Sequence, residues 1–183
     1  ENQAAYRQIG INDMQEGKYE DAVDAFQKAL GQSVSSIGER ELDICYYKAQ
    51  AQYLAGDTKG ALETYTALID YDKKNADAYY LRGSLYLLED EDEKAVKDYE
   101  NAVKYDDQNY DLYIQAYCDL KDAGLSKEAE PYLEKAVALK GKDARDYTMR
   151  GKVYVLMGDY EKATEQLDQA IELGSQQAVL YRA

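Results

Sequence analysis

Large and small apolar residues recur along the chain at helical spacing. Tyr6 is followed four residues later by Gly10, Cys45 by Ala49, Tyr79 by Gly83 and then Tyr86, and Tyr147 by Gly151 and then Tyr154. Steps of three and four place these side chains on one stripe of an α-helix. The small member of each pair lets a second helix approach closely. A second set answers the first: Ala22, Ala61, Ala95, Ala129 and Ala163 are followed seven residues on by Ala29, Leu68, Ala102, Ala136 and Ala170. Seven residues is close to two helical turns, so these positions also share a face and pack against the next pair. The pattern predicts paired helices of about 14 residues each. Between partners lie Glu16-Gly17-Lys18, Gly56-Asp57 and Gly158-Asp159, where Gly ends one helix and Asp can cap the next.

The pairs repeat. Aligning residues 77–105 with 145–173 matches Arg82-Gly83 with Arg150-Gly151, Tyr86 with Tyr154 and Lys94-Ala95 with Lys162-Ala163, at an offset of 68, twice 34. Ala129 lies 34 beyond Ala95, and Ala61 lies 34 before it. The first copy, with Gly10, Gly17, Tyr19, Ala22, Phe26 and Ala29, precedes the second by 39, so five extra residues enter at Gly31–Glu41, where GQSVSSIG reads as a loop. The expected copies are 3–36, 42–75, 76–109, 110–143 and 144–177, forming one repeat domain over 1–183. Residues 178–183 start a truncated sixth copy, since QQAVLYRA at 176–183 matches a first-helix opening with Tyr181 in the aromatic slot. A period of 34 with this content resembles the tetratricopeptide repeat, of bacterial type, over essentially the whole chain. The resemblance implies an all-α fold, an α-α superhelix (right-handed solenoid) of about five helix-turn-helix repeats.

Several positions depart from the family pattern. Tyr117 takes the small-residue slot of the fourth copy, so that helix pair is expected to splay or slip register. The proline that usually closes each repeat is missing, with Lys73, Asp107, Gly141 and Ser175 in its place. The single proline, Pro131, falls inside the fourth copy's second helix, where it costs a hydrogen bond and bends the helix slightly. Arg82 and Arg150 stand where the family has Leu, and pairing with carboxylates of a neighbouring helix is the favoured expectation. Solenoid ends need a polar cap. The expectation is therefore that the natural chain continues, or that a partner covers Leu167 and Ile171.

Charge and composition narrow the function. With 36 Asp and Glu against 22 Lys and Arg, the formal net charge of −14 repels nucleic acid and anionic membrane surfaces. No His occurs, which removes the commonest general base and metal ligand. No catalytic, metal or cofactor site is expected. Cys45 and Cys118 lie on separate helices two repeats apart, form no CxxC, and read as small buried apolar residues. The acidic run Glu89–Glu93 lacks the Gly and distal Glu of a calcium loop, and capping of the following helix by Asp92 is preferred. No apolar run reaches the roughly 18 residues of a membrane span. The chain opens at Glu1 without Met, which suggests that an upstream segment was removed. Its general look resembles repeat regions of bacterial cell-envelope lipoproteins, and a cytoplasmic location stays equally open.

In the family, first helices of successive repeats line a concave groove. By helical spacing the face opposite the packing stripe holds Arg7, Ile11, Met14; Tyr46, Gln50, Tyr53; Tyr80, Ser84, Leu87; Ile114, Cys118, Lys121; and Thr148, Lys152, Val155, with Tyr47 and Met149 beside it. None of these is acidic, although about a fifth of the chain is (36 of 183). Asp43, Asp77 and Asp111 lie at the neighbouring edge, each placed by the register at a helix N-terminus. A neutral, Tyr-rich, weakly basic strip suits an extended or helical peptide. The competing reading is that these residues only pack between adjacent first helices. The family's carboxylate clamp for a chaperone's C-terminal Glu-Glu-Val-Asp is not matched, since Arg7 and Ile11, Tyr47, and Asp77 with Leu81 occupy its positions. The expected function is a protein- or peptide-binding scaffold. The alternative is an assembly subunit that self-associates through its solenoid ends or acidic convex face.

Overall fold

The computed structural model describes residues 2–32 and 37–182. These form eleven helices and no strand: α1 (Asn2–Gln15), α2 (Tyr19–Leu30), α3 (Glu39–Leu54), α4 (Thr58–Tyr71), α5 (Ala76–Leu88), α6 (Asp92–Tyr105), α7 (Tyr110–Asp122), α8 (Ser126–Val137), α9 (Ala144–Met157), α10 (Tyr160–Glu172) and α11 (Gln176–Arg182). The all-α class is as the periodicity predicts. Two compact units divide at the end of α6, one spanning Glu1–Ala102 and the other Val103–Ala183.

In the first unit, α1 packs on α2, α3 on α4, and each hairpin on the helix that follows it. The small residues do what their spacing foretells. A methyl group added at Gly10 would sit 2.6 Å from the ring of Phe26, so α1 and α2 touch backbone to ring. Phe26 is fully buried with Ala22, Ala29, Ile44 and Ala51, worth about 1.5–3 kcal/mol for the ring alone. A second cluster joins Ala49 and Ala61 to Tyr65, Leu68, Ile69, Ala78 and Leu85. Arg82 is held as the favoured expectation has it. Its guanidinium meets Asp98 of α6 in two bonds, of 2.7 and 2.9 Å, and donates a third to Thr66 Oγ1 at 3.0 Å.

Two local expectations change. The connection after Gly31 ends before Glu41: the described residues 31, 32, 37 and 38 of the expected loop are non-helical, while Glu39–Glu41 belong to α3, which is two or three residues longer than its counterparts. The Glu41 carboxylate accepts from the Gly38 N–H at 2.9 Å, and the acidic first turn suits the positive end of the helix dipole. Residues 33–36 of the same expected loop lie outside the described residues. Asp43 consequently sits one turn inside α3 rather than at its start. Asp92 is likewise the first helical residue of α6 rather than its cap. The carbonyl of Glu91 accepts the first helical bonds, from Lys94 and Ala95.

In the second unit, α7 pairs with α8, α9 with α10, and α11 lies against α10 and α9. Tyr117 is buried in its slot beside Ala116, Tyr113 and Leu120. Pro131 lies within a helix that runs unbroken from Ser126 to Val137, its side chain exposed. Arg150 differs from Arg82 in its partners. The residue 16 positions on is Gln166, whose Oε1 accepts from Nε at 3.0 Å, while Nη1 donates to the carbonyls of Leu139 and Gly141 at 2.8 and 2.7 Å. The expected carboxylate is replaced by the carbonyls of the α8–α9 connection, because an amide cannot engage the guanidinium in two bonds as Asp98 does. Leu167 is covered from within the chain by Ala170 and Ala178, with Tyr147 and Ile171 packed against them.

Candidate peptide-binding face

Polar ties run between first helices of the first unit. Arg7 Nε lies 2.5 Å from Asp43 Oδ2, joining α1 to α3. The hydrogen bond to Asp43 is the main reason that the guanidinium's pKa is raised. Tyr46 donates to Asn75 Oδ1 at 2.6 Å, joining α3 to the cap of α5. The same oxygen accepts from the Ala78 N–H at 3.0 Å. Burial is the leading cause that pushes the Tyr46 hydroxyl up to about 12, so it remains a donor at any ordinary pH. The Tyr47 ring stacks on Phe26 at 5.8 Å, with Arg7 over it at 5.2 Å. Ser84 reaches Tyr99 at 3.1 Å and the Tyr80 carbonyl at 3.2 Å, and the Tyr80 and Tyr99 rings lie 5.5 Å apart.

These contacts sort the predicted residues. Arg7, Tyr46, Tyr47, Tyr80 and Ser84 are engaged within the fold, as the packing alternative requires, Tyr80 through its ring against Tyr99. Ile11, Met14, Tyr53, Tyr80 and Leu87 are partly exposed, and Gln50 is exposed. Ile11 and Met14 flank the Phe26 cluster, while Tyr53 flanks the cluster around Tyr65. In the second unit Ile114, Cys118 and Lys152 are partly exposed, but Met149 retains 4% exposure and lies in the core. Thr148, Arg150, Gly151 and Val153 of α9 are buried with it, which removes it from any ligand's reach. Lys152 Nζ sits 4.5 Å from the Tyr181 ring centroid.

The sequence matches the tetratricopeptide repeat profile over residues 7–65 and 46–111, more than half the chain, and a second such profile over 144–175. The chain is a tetratricopeptide repeat protein. Solved structures agree on the fold of this repeat protein. A MamA protein aligns at a TM-score of 0.58 and 22% identity, covering 98% of this chain and 95% of the other. A thermophilic TPR protein of Thermus thermophilus aligns at 0.57 and 20%, covering 98% and 96%. A MamA RS-1 double mutant aligns at 0.59 and 17%, covering 94% of each. No curated protein sequence matches.

Two cavities of the repeat protein were not anticipated. One, of about 350 Å³, lies in the first unit against Ile37, Leu42, Cys45, Lys48, Leu68 and Tyr71. Burial raises the Cys45 thiol, which keeps it protonated and apolar in behaviour, and the same holds for Cys118. The other, of about 330 Å³, lies in the second unit beside Tyr117. Tyr117 in a small-residue slot marked this place as unusual without announcing a cavity. No group of three or more His, Cys, Asp or Glu among the described residues is placed to hold a metal ion, the Glu89–Glu93 run included. No described helix is long and apolar enough to cross a membrane.

Proposed function

We propose that this tetratricopeptide repeat protein is a non-catalytic scaffold that binds a peptide segment of another protein on the first-helix face of its first unit. The observation that carries the reading is the residue set on that face: Ile11, Met14, Gln50, Tyr53, Tyr80 and Leu87 retain exposed surface, and none bears a carboxylate in a chain of net charge −14. Aromatic and flexible apolar anchors with one amide suit a ligand gripped by its side chains and oriented through Gln50. Arg7 is spent on Asp43, so a cationic clamp has no part in it. The absence of His supports the non-catalytic reading. Short random peptides selected by display on the wild-type protein test this. The Gln50→Glu, Leu87→Asp double variant is expected to lose the selected peptides while keeping its helical circular dichroism. Undiminished capture would place the ligand elsewhere.

A second reading is self-assembly, favoured by one observation. Leu173 and the three consecutive residues Val179, Leu180 and Tyr181 of α11 are exposed, Leu180 to 79%. Large apolar side chains left exposed on a folded surface are a common mark of an interface.

A further inference from the structure

Tyr117 stands where the equivalent residues of neighbouring copies, Gly83 and Gly151, are small. Its buried ring forms part of the wall of the second unit's cavity, with Lys121, Glu130, Leu133, Glu134, Leu156 and Met157. The cavity has two sides of different chemistry. Glu130 and Glu134 are exposed one turn apart on α8, and neither forms an ion pair among the described residues. Like charges at this spacing repel each other along a helix. From α9 the cavity also takes Leu156 and Met157, which end that helix with 38% and 44% of their surface exposed. The resident cation, Lys121, donates to the Tyr117 hydroxyl at 2.6 Å, its Nζ 5.0 Å from the ring centroid. One positive charge against two negative leaves the cavity net negative.

A ligand that satisfies both sides needs a cationic head and an apolar stem. Arg and Lys have that shape, since their methylenes lie on apolar surface while the head seeks carboxylates. Arg further offers a fork that can bond two oxygens. About 330 Å³ is near the lower limit for ligand sites, room for a long side chain and its neighbour. We propose that this cavity takes an Arg or Lys side chain of a partner polypeptide, with an adjacent apolar residue seated on Leu156 and Met157. The site is separate from the face proposed above and stands or falls independently of it.

A fluorescein-labelled, amidated peptide Gly-Leu-Arg-Leu-Gly, and its counterpart with Glu in place of Arg, provide the test by fluorescence anisotropy. The Arg peptide is expected to bind and to weaken as salt rises, whereas the Glu peptide is not. E130Q with E134Q, both at exposed positions, is expected to weaken the Arg peptide about tenfold and to flatten its salt dependence. Gln50→Glu with Leu87→Asp is expected to leave this binding unchanged. Equal binding of the two peptides, no binding of either, full affinity in the Gln pair, or loss in the first-unit variant would each overturn the proposal.

Discussion

At Asp90 the backbone takes φ 56, the left-handed region, where Gly56 and Gly124 stand 34 residues before and after it with φ 85 and 83. Asp tolerates this region better than most side chains, but an L-residue there still costs about 1–2 kcal/mol. Glycine relieves that cost and returns roughly 0.5–1 kcal/mol of it as added freedom in the unfolded chain. Asp90 also lies within five consecutive acidic residues, so removing its charge reduces repulsion. Asp90→Gly is therefore expected to stabilise the fold by about 0.5 kcal/mol in urea denaturation. A loss of stability would show that the Asp side chain supports the turn in a way its geometry does not reveal.

Between elements, two related arginines show how one position serves different contacts. Arg82 ties α5 to α6 through Asp98, which is 4% exposed, with Tyr79 and Tyr86 rings within 6 Å of the guanidinium. The hydrogen bond to Asp98 is the first cause that raises the pKa of Arg82. Removing one member of a buried pair strands the other charge, so Asp98→Ala is expected to cost about 3 kcal/mol. Gln166→Ala, at the matching position of α10, is expected to cost about 1 kcal/mol, because a lost amide bond leaves the Leu139 and Gly141 carbonyls holding Arg150. Equal losses in urea denaturation would contradict this division of labour. Asn75 and Asn109, 34 residues apart, are a second element-level device, each capping its helix with Oδ1.

For the whole molecule, repulsion and apolar attraction oppose each other. A net charge of −14 disfavours contact between copies at low ionic strength, while Leu180 and its neighbours favour it. Screening shortens the reach of the charges to about 8 Å at physiological salt and leaves apolar contact intact. Sedimentation velocity is thus expected to show self-association that grows with salt and disappears in Leu180→Glu. A species that is monomeric under all these conditions would dismiss the assembly reading.

Much of the helical pairing was legible in the chain because it depends on local spacing. Gly10 under Phe26 and the alanines of the second helices follow from periodicity and side-chain size, and Asp57 and Asp159 as caps from the hydrogen-bonding chemistry of the Gly-Asp turns. The exposed face was legible only as a list of positions. Helical phase says which residues share a side, but not which of them find partners on other elements. That is why Arg7 and Tyr46 proved engaged and Met149 buried. It is also why Tyr117 could be noticed as too large for its slot, while the cavity that gathers Glu130, Glu134 and Met157 beside it could not be foreseen. Periodicity along the chain committed it to paired helices; contacts between residues far apart in sequence, set by tertiary packing, decided which surfaces remain open to a partner.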